Sequence, residues 1–201
     1  LPYRTLYSYE PAYGAMGKSA DDTSFKFQSK WDGDTIPPYT GNSVGDPFIQ
    51  KNPNITNFSS QDIFHFSIEF AAMERTASRY VQLRPIVANA PSGSYWIKEG
   101  NILELPSSGK VNVFKQDTGV TMPLKRWVKF DFVVYLEDTS AEVFMDGKSI
   151  YPRTAFDACD VLEGIQPMTG VSMIRVGFTP TKSNNVFPLT TTYVDNFNYE
   201  V

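Results

Sequence analysis

The sequence holds a single cysteine, Cys159, and a single histidine, His65. One thiol excludes an internal disulfide framework and any zinc site built from several cysteines. The flanking Asp157 and Asp160 would raise a thiol pKa, so Cys159 reads as a small buried hydrophobe rather than a reactive group. A basic excess is also missing: 18 Lys and Arg stand against 22 Asp and Glu, for a net charge of −4. The largest basic cluster is Lys125, Arg126 and Lys129. Nucleic acid is therefore excluded as a partner, because phosphate binding needs a clustered basic face. No apolar run approaches the ~18 residues of a membrane span, and "LPYRTLYSYE" at the start has neither the basic head nor the apolar middle of a signal peptide. No membrane insertion is expected. Helical periodicity, internal repeats and low-complexity linkers are scarce or missing as well.

What the chain does have is aromatic mass and alternation. Fifteen phenylalanines, eleven tyrosines and three tryptophans can fill a sizeable core, and a chain of this length suits one all-β domain over residues 1–201. In "FHFSIEF", Phe64, Phe66, Ile68 and Phe70 fall on one face while His65, Ser67 and Glu69 fall on the other. The same period of two runs through "YRTLYSY" (3–9), "TSFKFQS" (23–29), "RYVQLRPIV" (79–87), "SYWIKE" (94–99), "NILELP" (101–106), "KVNVF" (110–114), "MIRVGF" (173–178) and "TTTYVDNFNYEV" (190–201). The stretch "RWVKFDFVVYLEDTSAEVFMDGKSIY" gives two antiparallel strands and then a tight turn at Asp146-Gly147, where glycine supplies positive φ. Clusters of proline and glycine at 32–47, 89–93 and 179–188 predict long loops. Only "TAFDACDVLEGI" (154–165) suggests a short helix. The fold class expected is all-β, a two-sheet antiparallel sandwich with at most one or two short helices.

The order "P-L-x-R-W-V-x-F-x-F-V-V-Y", "A-E-V-F-M-D-G-K", "I-R-V-G" and "Y-V-D-N-F-N-Y" resembles the concanavalin A-like lectin/glucanase superfamily of jelly-roll sandwiches, including its laminin-G-like members. Trp127, Gly147 and Asp195 carry the likeness. It implies a fold rather than a chemistry, since these are residues that build the sandwich. Retaining glucanases of this fold place both acids on one strand as E-x-D-x-x-E, and that pattern is missing here. Glu142 with Asp146 and Glu69 with Glu74 have the wrong spacing for a pair of carboxyls held at about 5–5.5 Å.

Carbohydrate binding asks for less: a sheet face, one to three rings and planar polar groups for hydroxyls. Tyr80, Gln82 and Arg84 share one face of their strand, with His65 and Glu69 on the polar face of the strand before. Tyr95 and Trp96 follow the loop "NAPSG" and can stand at a rim, and Trp31 is a further ring. Sandwich modules of this kind often tie a terminal-strand Asp to a structural Ca²⁺. That makes Asp195 a candidate ligand, with Asp21, Asp22, Asp32 and Asp34 as further donors. On the pleat, Asp195 is expected to share a face with Tyr193, Phe197 and Tyr199. The alternative is a carboxylate taking backbone N–H bonds.

The expectation is a non-catalytic, extracellular module, secreted or on a cell surface, that binds a polysaccharide on its polar sheet face and rim loops and stands alone or beside flanking domains. One rival is a structural or adhesive domain without a small ligand. Another is a polysaccharide lyase or glycoside hydrolase, with Tyr80, Arg84 and His65 as its machinery.

Overall fold

The alternating segments pair into two antiparallel sheets. The computed structural model describes residues 3–11, 23–31, 48–56, 59, 61–87, 100–138, 140–155, 168–180 and 190–201. Within them lie strands β1 (Tyr3–Pro11), β2 (Thr23–Trp31), β3 (Phe48–Lys51), β4 (Ile63–Ala72), β5 (Ala77–Val87), β6 (Gly100–Leu105) and β7 (Lys110–Val113). There follow β8 (Gln116–Thr121), β9 (Trp127–Tyr135), β10 (Ser140–Met145), β11 (Lys148–Ala155), β12 (Met168–Pro180) and β13 (Thr190–Glu200). A seven-stranded sheet, the large one, runs β1-β2-β13-β4-β9-β10-β11, and a six-stranded one, the small, runs β3-β12-β5-β6-β7-β8. Among the described residues there is no helix, and so none long and apolar enough to cross a membrane. Thr154 and Ala155, the first residues of the predicted helix, extend β11 instead by pairing with Ala141 and Ser140; residues 156–165 lie outside the described residues.

The core sits between the sheets and comes from one face of each. Phe64, Phe66, Ile68, Phe70, Val128 and Phe130 of the large sheet are fully buried against Val81, Leu83, Ile174, Val176 and Phe178 of the small one. Cross-strand partners Phe66 and Phe132 stack with centroids 4.3 Å apart. Burying such a ring contributes about 1.5–3 kcal/mol, which is why the predicted inward faces survive in the fold.

The Asp-Gly turn forms as predicted. Met145 pairs with Lys148, and the two residues between them have φ of 50° (Asp146) and 77° (Gly147), so both central positions of this two-residue hairpin are left-handed. The Asp146 carboxylate accepts the Lys129 amide at 2.9 Å and the Arg126 guanidinium at 2.6 Å. Gly147→Ala forces a β-carbon into that conformation and is expected to cost about 1 kcal/mol, read as a lower urea midpoint at unchanged m.

Two features depart from the sequence reading. Residues 73–76 carry the chain from the large sheet to the small one, so β4 and β5 are consecutive but never paired. Along β13, Tyr193 and Asp195 pair with Ala71 and Glu69 on the outer face, whereas Tyr199 pairs with Phe66 on the core side. An irregularity at Asn196, with φ of 46°, lies between them. The bulge adds a residue and flips the alternation, so Asp195 and Tyr193 do not share a face with Tyr199. Phe197 packs against the core.

Trp127 is buried on the outer face of the large sheet, packed with Ala71 and Tyr193. Its role is structural, as its place at the head of β9 suggests.

Inside the crossing, Arg79 is 4% exposed and points inward. Its Nε donates to Thr192 Oγ1 at 2.7 Å, and its Nη groups donate to the carbonyls of Ala77 and Glu74, both at 2.9 Å. All three nitrogens of the guanidinium thus donate, tying β5 to β13 and to the arch. Burial pushes its pKa down to about 10, against the raising effect of Glu74.

Candidate functional site

The outer face of the small sheet is polar, in contrast to its inner one. Because side chains directly opposite each other in paired strands share a face, the registers place Gln50 (β3), Arg175 (β12), Gln82 (β5) and Asn101 (β6) in one cross-strand rung. Arg175 sits between two amides, with its Nη1 3.5 Å from Gln82 Oε1 and its Nη2 3.4 Å from Gln50 Oε1. The next rung runs Gly177, Tyr80, Glu104 and Asn112.

Tyr80 has room for its ring because its partner has no side chain. A β-carbon at Gly177 would lie 2.0 Å from Tyr80 Cζ and 2.1 Å from its hydroxyl oxygen. The end of the ring therefore occupies the space over Gly177 of β12, and the residue is half-buried. Beside it, a bulge at Ile102 in β6 lets Asn101 and Glu104 both face outward, and Asn101 Nδ2 donates to Glu104 Oε1 at 2.8 Å. Together with Ser78, Thr179 and Pro106 these residues line an open groove of about 400 Å³, within the usual range of ligand sites. Asn101 Oδ1 and Asn112 Oδ1 are buried on this face without a hydrogen-bond partner, and acceptors in that state favour a ligand that brings hydroxyls.

Arg84 stands one two-residue step beyond Gln82 on the same face, opposite buried Met173. Desolvation, and then the charge of Arg175, hold its pKa below the ordinary arginine value.

Of the residues expected to form one site, the structure brings together Tyr80, Gln82 and Arg84. His65 and Glu69 belong to β4 and face outward from the large sheet, so the whole core separates them from that trio. The constellation of Tyr80, Arg84 and His65 is therefore not assembled, because the arch at 73–76 changes sheet where a hairpin would have kept the strands adjacent. His65 instead lies between carboxylates, with Nδ1 3.0 Å from Glu200 and Nε2 3.5 Å from Asp131, which also takes Lys129 at 2.7 Å. This is a partly exposed network of mixed sign, the kind worth little in stability. Tyr95 and Trp96 lie outside the described residues; of Trp31 the structure gives only the backbone, at the end of β2.

Asp195 pairs with Glu69 across the strands, and its Oδ1 takes the Asn196 amide at 2.7 Å. Among the described residues no group of three or more histidines, cysteines or acids is placed to hold a metal. Calcium wants six or more oxygens; the cross-strand partner of Asp195 is Glu69, itself paired across the sheet with Lys129. Asp21, Asp22, Asp32 and Asp34 lie outside the described residues.

Sequence reasoning missed Gln50, Arg175, Asn101, Glu104 and Asn112. Alternation within "MIRVGF" already turned Arg175 and Gly177 away from the core. What it lacked was the neighbour relation of β12 to β5.

No family model matches the chain, and no curated protein matches its sequence. Solved structures do share the fold. A cellulose-induced protein, Cip1, is similar with a TM-score of 0.59 at 12% identity, over 97% of this chain and 85% of its own. The catalytic domain of a GH131 β-glucanase from Podospora anserina aligns at 0.51 and 11% identity, over 100% of this chain and 85% of that one. A sialidase aligns at 0.55 and 12% identity over 88% of this chain, which spans 15% of the sialidase. The architecture is accordingly that of the jelly-roll glucanase and sialidase sandwiches.

Proposed function

We propose that the chain is a non-catalytic carbohydrate-binding module that holds a polysaccharide along the outer face of its small sheet. The observation carrying this reading is the end of the Tyr80 ring seated over Gly177 beside a rung of amide and guanidinium groups. A ring on this face offers a stacking surface for the apolar face of a sugar, and planar amides offer paired donors and acceptors for its hydroxyls. Kinship in fold with a β-glucanase and a cellulose-induced protein supports the same substrate class, by analogy. The reading makes residues 1–201 one laminin-G-like domain of the concanavalin A-like superfamily, secreted or on a cell surface, with or without flanking domains. Glu104 is the sole carboxylate among the described residues lining the groove, and a two-carboxylate hydrolysis needs a pair; this favours binding over cleavage.

Affinity electrophoresis through gels carrying β-glucans, xylans, mannans and polyuronates tests the proposal. Wild-type protein is expected to be retarded by at least one of them. Tyr80→Ala or Gln82→Ala, with the near-ultraviolet spectrum of the folded protein, should weaken retention by about 2 kcal/mol, some thirtyfold. His65→Ala, on the opposite sheet, should leave it unchanged. No retardation of the wild type by any gel would favour a structural or adhesive domain, and release of reducing ends or unsaturated sugar would make the chain an enzyme.

A further inference from the structure

The sequence carries two Asn-x-Ser/Thr triplets, Asn54-Ile55-Thr56 and Asn57-Phe58-Ser59, the pattern that N-glycosylation reads. The first lies wholly within the described residues; Asn57 and Phe58 of the second lie outside them. The fold holds the first triplet by its middle residue. Ile55 exchanges both backbone hydrogen bonds with Val171 of β12, at 3.1 and 3.0 Å, and its side chain packs against the core. Gly170 lets the segment come that close, since a β-carbon there would lie 2.0 Å from the Ile55 carbonyl oxygen. The two residues that carry the chemistry stay outside. Asn54 and Thr56 are both exposed, and among the described residues no hydrogen bond occupies the Asn54 amide or the Thr56 hydroxyl. Asn54 also has φ of 49°, a left-handed conformation that asparagine tolerates. The Ser59 hydroxyl, by contrast, is engaged by Asp62 at 3.1 Å and by the Gln61 amide at 3.2 Å.

The first triplet also stands at a sheet edge. β3 ends the small sheet and pairs only with β12 among the described residues. Its other side presents backbone groups of the kind that recruit a further chain, and Asn54 follows closely on Lys51, the last residue of β3.

We propose that Asn54 is an N-glycosylation site, and that its glycan shields the β3 edge while leaving the groove open. This rests on the secreted or cell-surface placement above and not on the ligand. In the reaction the Asn54 Nδ2 bonds to the anomeric carbon of an oligosaccharide carried on a polyprenyl pyrophosphate. The bond from that carbon to the pyrophosphate oxygen breaks, the pyrophosphate leaves with the electron pair, and the amide loses one proton. The Thr56 hydroxyl completes the triplet that the transferase recognises. Since the Asn54 side chain gives up no hydrogen bond, a bulky hydrated chain is attached there without disturbing the core. The groove lies well away from its root. Val171, beside the triplet, and Gly177, under Tyr80, are six residues apart on β12, about 20 Å along a strand.

The test sends residues 1–201 through the secretory pathway of a eukaryotic cell behind a cleavable leader. The secreted protein is expected to show a mass increase that a glycan-releasing amidase removes. That enzyme converts the bearing asparagine to aspartate, and peptide masses should place the conversion at residue 54. Asn54→Gln and Thr56→Ala should each abolish modification there, and Ser59→Ala should not. Deglycosylated protein should aggregate sooner than the glycosylated form at equal concentration, and one polysaccharide gel should retard both equally. Folded, secreted wild type without a glycan at residue 54 would overturn the site, a result that depends on no variant folding. Weaker retention of the glycosylated form would overturn its placement clear of the groove, and equal aggregation would overturn the shielding of the edge. A glycan at residue 54 with neither form retained by any gel would support the site and sink the ligand reading.

Discussion

Arg79→Ala is expected to lower the stability of the fold by about 3–5 kcal/mol, a large part of the roughly 5–15 kcal/mol that holds a domain together. The side chain is 4% exposed and ties three acceptors on two sheets. Its removal leaves the Thr192 hydroxyl and the Glu74 and Ala77 carbonyls without their donor, and it opens a cavity at the end of the core. Arg79→Met fills much of that space and takes away a charge that burial disfavours, so it should cost clearly less than the alanine variant. The charge has its own signature. In the folded protein the group loses its proton near pH 10, earlier than in the unfolded chain, so between those two pKa values the unfolded state binds more protons. The Arg79 contribution to stability therefore rises with pH above about 10 and is flat below it. Urea midpoints for wild type and Arg79→Met across that range should show the rise in the first and not in the second.

Gly177→Ala is the second strong case, because it acts on the site through a clash. Its β-carbon would stand 2.0 Å from Tyr80 Cζ, so the ring must swing off β12. Crowding of this kind costs about 1–3 kcal/mol, set against about 0.5–1 kcal/mol gained by replacing a glycine inside a strand. Glycan retention should drop as far as it does in Tyr80→Ala, although residue 177 itself has no side chain to offer a sugar. The pair gives a double-mutant cycle. Once Tyr80 is alanine, Gly177→Ala should be neutral or stabilising and should weaken retention no further. Additive losses would mean that the ring does not rest on Gly177.

Much of this fold was legible because alternation reports which face of a strand is buried. Phe64, Phe66, Ile68 and Phe70 share a face from period alone, the same period runs through "MIRVGF", and the Asp146-Gly147 turn announces itself. Two strands were not legible. β8 is mostly polar and exposed, and its hairpin turns at Phe114 and Lys115, with φ of 48° and 65°, residues that carry no turn signal. Tertiary packing holds Phe114 there, 2% exposed with its ring against Tyr151. β3 lies just past the predicted loop at 32–47, and its four residues are too few to show an alternation.

The site was half legible for a related reason. Period two distinguishes inside from outside but not one sheet from the other, so His65 and Tyr80, each outward on its own strand, were read as neighbours when they face opposite ways. Asp195 is separated from Phe197 and Tyr199 by one residue of bulge at Asn196, a residue type that tolerates positive φ but does not by itself announce a bulge inside a strand. Arg175, Asn101 and Glu104 became site residues only through strand order and the bulge at Ile102.

The central claim is that ligand binds the outer face of the small sheet. It is tested most directly by side-chain nitrogen spectra recorded while a β-glucan tetrasaccharide or a glucuronate tetrasaccharide is titrated in. The account predicts shifts at the amides of Gln50, Gln82, Asn101 and Asn112 and at Arg175 Nε, with the His65 imidazole and the Lys129 ammonium unmoved. Shifts confined to His65, Lys129 and their neighbours on the large sheet, or none with either sugar, would contradict it.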